Sequence, residues 1–180
     1  CYPETRLKKF ILKAFEKELQ LKTGLRVSAE VEPSPSGLFY RLKISDPQKV
    51  LTLPSDVGTQ LGARGQDLWK ATCAEIFVSS GGEPYWEFNF APDGRWDAFE
   101  FRTYRQGGRS ESPPTLTAGW AVRPGECQLT AEIRGIGPVA SFHPTAIVES
   151  SSGKLHWAPE HPPGKPDFHL RQYFLDATRD

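Results

Sequence analysis

From Leu25 onward the chain alternates apolar and polar residues in short runs divided by Gly, Pro and Asp clusters. That is the period of strands with one buried face. The runs predict strands at 26–32, 38–45, 50–53, 70–80, 85–91, 96–104, 115–122, 127–134, 143–149 and 170–176. Short strands at this spacing, without helical stretches between them, predict an all-β fold, an antiparallel β-sandwich of two sheets. Residues 4–23 break the pattern, because Leu7, Phe10, Ile11, Ala14, Phe15 and Leu19 recur at helical spacing among Lys and Glu. Gly24 ends the run, so this segment is expected to be an N-terminal amphipathic helix packed on the flank. The chain then divides into a helical extension, residues 1–24, and a sandwich domain, residues 25–180.

The segment from Trp69 to Gln106 carries the most chemistry. It reads as three strands joined by turns at Gly81-Gly82-Glu83-Pro84 and Pro92-Asp93-Gly94. With Asp93-Gly94 as a two-residue hairpin loop, Glu87 falls opposite Glu100 and Asn89 opposite Ala98. The first turn sets Glu75 beside Asn89 and Phe77 beside Glu87. Glu75, Glu87, Asn89, Glu100 and Arg102 would then share one face, and Trp86, Phe88, Phe90, Phe99 and Phe101 the other. Like charges directly opposed on a sheet are unfavourable, so such a face calls for a cation, a nearby Arg, a raised carboxyl pKa or a polyhydroxylated ligand.

Composition narrows the classes. Lys+Arg and Asp+Glu each number 22, so no basic field exists to attract nucleic acid. The 180 residues suit one domain, expected to be a monomer. No run of 18 apolar residues is present, so no transmembrane helix is expected. Cys1, Cys73 and Cys127 are an odd count without metal spacing, which disfavours a disulfide framework and fits a reducing, cytoplasmic setting. The leading Cys1 keeps a lipoprotein or periplasmic alternative open.

Two further groups are candidates for binding. Trp69, Trp96 and Trp157 each sit at a turn or strand end, where indole rings stack on sugar rings or close a sandwich. The run from His156 to His169 holds three histidines, Glu160, Lys165 and Asp167 on a proline-stiffened loop. Its histidine spacings match no zinc pattern, so ligand contact by Lys165, Asp167 and His169 is expected rather than metal binding. No phosphate-cradling loop, nucleophile elbow or dinucleotide fingerprint occurs. Paired carboxylates among Glu75, Glu87 and Glu100 leave a glycoside-acting hydrolase as an alternative.

Asp67–Phe77, Tyr85–Trp96, Tyr104–Gly107 and His161–His169 together resemble the signature of bacterial DOMON-like proteins, relatives of family 9 carbohydrate-binding modules. The resemblance spans residues 26–177. It implies an immunoglobulin-like β-sandwich that binds a sugar or, in some branches, heme. Heme-binding members use Met and His as axial ligands, and this chain has no Met, so no cofactor is expected. The joint expectation is a non-catalytic domain for a carbohydrate or other hydroxyl-rich molecule. Its contacts would be Trp69, Glu75, Glu87, Asn89, Trp96, Arg102, Trp157, Lys165, Asp167 and His169, with a heme or metal carrier as a further alternative.

Overall fold

A computed structural model describes residues 6–179, and Cys1 and the first two residues of the expected helix lie outside that range. Twelve strands run β1 (Lys8–Ala14), β2 (Arg26–Ser34), β3 (Gly37–Ser45), β4 (Cys73–Ser79), β5 (Tyr85–Phe90) and β6 (Trp96–Thr103). They continue as β7 (Gln106–Arg109), β8 (Thr115–Arg123), β9 (Glu126–Arg134), β10 (Ser141–Ser150), β11 (Gly153–Ala158) and β12 (Leu175–Asp176). All ladders are antiparallel. One sheet has the order β1-β2-β3-β9-β8, the other β7-β6-β5-β4-β10-β11-β1, with β12 added on β10. The expected all-β sandwich is the observed architecture. Residues 50–53 contribute only an isolated bridge, Leu51 to Ser150.

The expected helix over 4–23 is corrected. Residues 8–14 are strand β1, and the only α-helix among the described residues is α1 (Lys17–Thr23). Its last amide cap comes from Gly24, at φ 67, whose N–H donates to the Gln20 carbonyl. The segment satisfies two periods at once. A helix would bury Ile11, but Ile11 is 84% exposed, while Leu12 and Ala14 are buried on alternate positions. Pairing decides between the periods. Lys8–Leu12 bond β2 and Lys13–Ala14 bond β11, so β1 crosses from one sheet to the other and closes that side of the sandwich. Two open sheet edges are satisfied by one strand, which an isolated helix could not do.

Between the sheets, Leu12, Val31, Tyr40, Leu42, Ile44 and Leu129 meet Ile76, Val78, Phe88, Phe142, Val148 and Trp157. Each such side chain contributes about 1.5–3 kcal/mol on burial. Tyr40 buries its ring here and sends its hydroxyl to the Glu75 carbonyl at 2.9 Å, joining the sheets with a satisfied polar bond.

The β4–β5 register is the one expected, with Glu75 opposite Asn89 and Phe77 opposite Glu87. The β5–β6 register is shifted by one residue. Glu87 faces Phe99, Asn89 faces Asp97 and Trp86 faces Glu100. The cause lies in the turn. A two-residue loop would need the Pro92 N–H to close the pair with Arg95, and proline has none. The pair therefore closes one residue earlier, with the Ala91 N–H donating to the Arg95 carbonyl at 2.9 Å around a three-residue loop. Gly94, at φ 92, takes the left-handed position that such loops require. The shift sends Phe99 and Phe101 to the face of Glu75 and Glu87, and moves Glu100 and Arg102 to the opposite one.

The 54–66 loop does not line the cavity on the polar face and touches that face only where Arg64 binds Asp97. It binds the hairpin tip through Gly58 to Pro92, Gly62 to Gly94 and Gly65 to Trp96, each at 2.8 Å, and reaches β8 through Trp120 to Gly58.

Removing residues 1–14 should cost more than about 5 kcal/mol, comparable with the whole stability of a domain, because it strips Leu12 from the core and opens both sheets. Urea denaturation followed by near-ultraviolet circular dichroism checks this. A truncated protein with the parent midpoint would show β1 to be dispensable.

Candidate functional site

The outer face of β6-β5-β4-β10 presents two rows of side chains. Asp97, Asn89, Glu75 and Thr145 form one, and Phe99, Glu87, Phe77 and His143 the next. The C-terminal segment after β11 crosses this face and packs Phe168 and Phe174 against Phe77 and Tyr85. Between segment and sheet lies an open cavity of about 390 Å³. Glu75 and Glu87 form part of its wall, with Phe99 and Phe101 on one side and Asp167, Phe168 and His169 on another. Trp69, Arg105, Ile147 and His156 complete the rim.

Asp167 organises the loop. It accepts from the Tyr104 hydroxyl at 2.5 Å, from Arg105 Nη2 at 3.0 Å and from the His169 amide at 3.0 Å. Burial alone would raise its carboxyl, but the bonds from Tyr104 and His169 and the Arg105 charge hold it below its usual range. Arg105 adopts a left-handed backbone, φ 54, uncommon for a non-glycine residue, and its amide donates to Tyr85 Oη at 3.1 Å. Tyr85 Oη also lies 2.8 Å from His169 Nδ1. Burial, then the neighbouring Arg105 charge, lowers the His169 imidazole to about 4, so it is neutral at pH 7. When Tyr85 donates to Nδ1, the ring proton sits on Nε2, which is 3.6 Å from Glu87 Oε2.

The carboxyls beneath are desolvated. Burial raises Glu87 to about 7, against partial relief from the Asn89 hydrogen bond and the Arg105 charge. Glu75 is raised well above its ordinary value, first by burial and then by the Glu87 charge. Asn89 is fully buried, and with its amide nitrogen assigned to the side facing two acceptors it donates to Phe88 O and Glu87 Oε1, each at 3.2 Å. It therefore holds Glu87 in place and does not itself face the cavity. On the far rim, His156 is anchored from the N-terminal region, with Nδ1 2.7 Å from Glu16 Oε1 and its amide donating to Glu16 Oε2 at 2.7 Å.

Of the residues singled out in the sequence, Trp69, Glu75, Glu87, Asp167 and His169 are brought to one cavity. Five are placed elsewhere, Asn89 beneath Glu87 as described and four more. Trp157 is wholly buried in the core between the sheets. Trp96 packs at the core's edge and donates from its indole to Gly62 O at 3.1 Å, with Arg64 over its ring. Arg102 is exposed on the opposite face of β6, and Lys165 is exposed on the loop outside the cavity lining. Phe99, Phe101, Arg105 and His156 are site residues that sequence reasoning missed. The missing Pro92 N–H was the signal for the two phenylalanines; Arg105 and His156 carry no local signal.

No protein-family model and no curated protein matches the chain. Among solved structures it is similar to a crystal structure from Bacteroides uniformis, described as that of a candidate carbohydrate-binding protein. The two share a TM-score of 0.59 at 15% identity, over 94% of this chain and 84% of the other. At that identity the likeness shows the fold alone.

The raised Glu87 carboxyl makes stability depend on pH. Folded protein keeps a proton at Glu87 up to about 7, whereas the unfolded chain loses it near the ordinary value of 4.5. This contribution is full below about 4.5 and is lost as pH rises to about 7. Glu87→Gln removes it, so the variant should exceed the parent by about 1–3 kcal/mol at pH 8 and match it near pH 4.5. His143 and His169, both lowered to about 4, act in the opposite direction but are common to both proteins. Urea midpoints across this range provide the measurement; a constant difference would refute the burial of an ionisable Glu87.

Proposed function

We propose that this chain is a non-catalytic binding domain for a carbohydrate or other hydroxyl-rich small molecule, bound in the cavity over Glu75 and Glu87. A DOMON-like kinship and an immunoglobulin-like description of the sandwich belong to the same proposal. The observation that carries it is the open cavity of about 390 Å³, within the usual range for small-ligand sites, where polar groups of both kinds converge beside aromatic rings. Glu75 and Glu87 offer oxygens, His156 and His169 offer nitrogens, and Phe99, Phe101 and Trp69 offer flat apolar surfaces. Such a set suits a ring with one apolar face and a girdle of hydroxyls. The likeness to the candidate carbohydrate-binding protein from Bacteroides uniformis supports the same reading.

Hydrolysis of a glycoside is the weaker reading for two reasons. Glu87 and Glu100 point to opposite sides of the sheet, so they do not flank one bond. Asp167 is held ionised, but both of its oxygens are occupied by Tyr104, Arg105 and His169.

Affinity for a single sugar is expected in the millimolar to micromolar range, since each hydroxyl exchanges water bonds for protein bonds at small net gain. Glycan-array screening followed by calorimetry tests the proposal. Phe101→Ala should weaken the selected ligand about tenfold or more, through loss of stacking worth about 1.4 kcal/mol. Equal affinity in parent and variant would place the ligand elsewhere.

A further inference from the structure

We infer that the cavity takes a ligand carrying a protonated amine, an amino sugar in preference to its neutral parent, with Glu75 and Glu87 as the counter-charges. The inference rests on the carbohydrate reading above and deepens it by naming the class of sugar.

The argument starts from how this sheet face treats its three buried carboxylates. Asp97, 1% exposed, is held by two guanidinium groups, Arg64 Nε at 2.7 Å and Arg109 Nε at 2.9 Å. Glu75 and Glu87, 2% and 7% exposed, have no Lys or Arg within ion-pair distance among the described residues. The group nearest to a cation on Glu87 is His169 at 3.6 Å, and burial keeps that ring neutral. Arg105, the nearby guanidinium, is committed to Asp167. Glu75 Oε2 has only a long contact to Thr145 Oγ1, 3.5 Å, and its Oε1 receives no hydrogen bond among the described residues. Both carboxyls wall the open cavity.

A buried carboxylate without a cation is strongly unfavourable, and the fold shows that it can supply guanidinium groups on this very face. It supplies them at Asp97, away from the cavity wall, and withholds them at the two carboxyls a ligand can reach. A ligand ammonium would supply the missing charge, and the Phe99 and Phe101 rings beside it are favourable neighbours for a cation. A hard metal ion fits less well. It needs about six oxygen ligands, and no group of three or more candidate ligands converges among the described residues.

The test is calorimetric titration at pH 7 with glucosamine, galactosamine and mannosamine, each against its parent hexose and its N-acetyl derivative. At least one amine should bind about tenfold or more tightly than both of its neutral counterparts. The groups facing the pair are Tyr85 from β5, Asp97 from β6, His143 from β10, His156 from β11, and Arg105, Asp167 and His169 from the loops; Glu87 is raised to about 7, and repeating the titration in Glu87→Gln separates its contribution from that of His156. Lowering the pH from 7 to 5.5 should therefore weaken the amine about tenfold and leave neutral sugars unchanged. The Glu75→Gln and Glu87→Gln variants, singly and combined, should lose the amine preference while keeping cooperative thermal unfolding. Neutral sugars that bind as tightly as the amines would overturn the inference and leave the carbohydrate reading intact. Failure of every sugar to bind would end both. An amine preference that survives in the folded double variant, or calcium binding that the double variant abolishes, would also overturn it.

Discussion

The missing amide hydrogen at Pro92 sets the geometry on which the site depends. Because Pro92 cannot donate, the hairpin closes at Ala91 and Arg95, and β6 is placed one residue away from where a two-residue loop would put it. In a strand a single step exchanges the faces of every side chain. The chosen register brings Phe99 and Phe101 beside Glu87, and sets Asp97 next to Asn89, within reach of Arg64 and Arg109. The 54–66 loop then locks the tip through backbone bonds at Gly58 and Gly62, and Gly58 has no room for a side chain, since a Cβ there would lie 2.4 Å from Gly94 Cα. Register, loop and cavity wall form one mechanical unit.

Electrostatics divides that face into a structural part and a receptive part. Asp97 is neutralised by the protein itself and ties β6, β7 and the 54–66 loop together. Glu75 and Glu87, on the neighbouring strands β4 and β5, are left desolvated over a cavity. Their raised proton affinity is the expected response of a buried carboxyl that lacks a partner. Stability is given up at the cavity wall and retained at the hairpin root, the pattern expected where a site is kept ready for a ligand.

The cavity is assembled from parts of the chain that lie far apart. Glu16, just before α1, anchors His156 on β11, while the β6–β7 turn supplies Tyr104 and Arg105 to hold Asp167. β1 therefore has two consequences. It joins the sheets, and it delivers the segment that fixes the far rim.

Period-two alternation, turn residues and the position of the carboxyls were legible along the chain, because strand faces and turns are set by neighbours within a few residues. They yield the sandwich, the β4–β5 register, and the gathering of Glu75, Glu87, Asp167, His169 and Trp69. The nature of residues 8–14 was not legible, since Phe10 and Ala14 fit both a helix stripe and a strand face, Ile11 only the first and Leu12 only the second, and the open edges of β2 and β11 chose between them. Nor were the burial of Trp157, the outward turn of Arg102 or the arrival of Arg105 and His156 at the rim. Local sequence determined which residues could alternate; tertiary pairing determined the partners, because a one-residue register step or a crossing loop changes every contact without changing the local pattern.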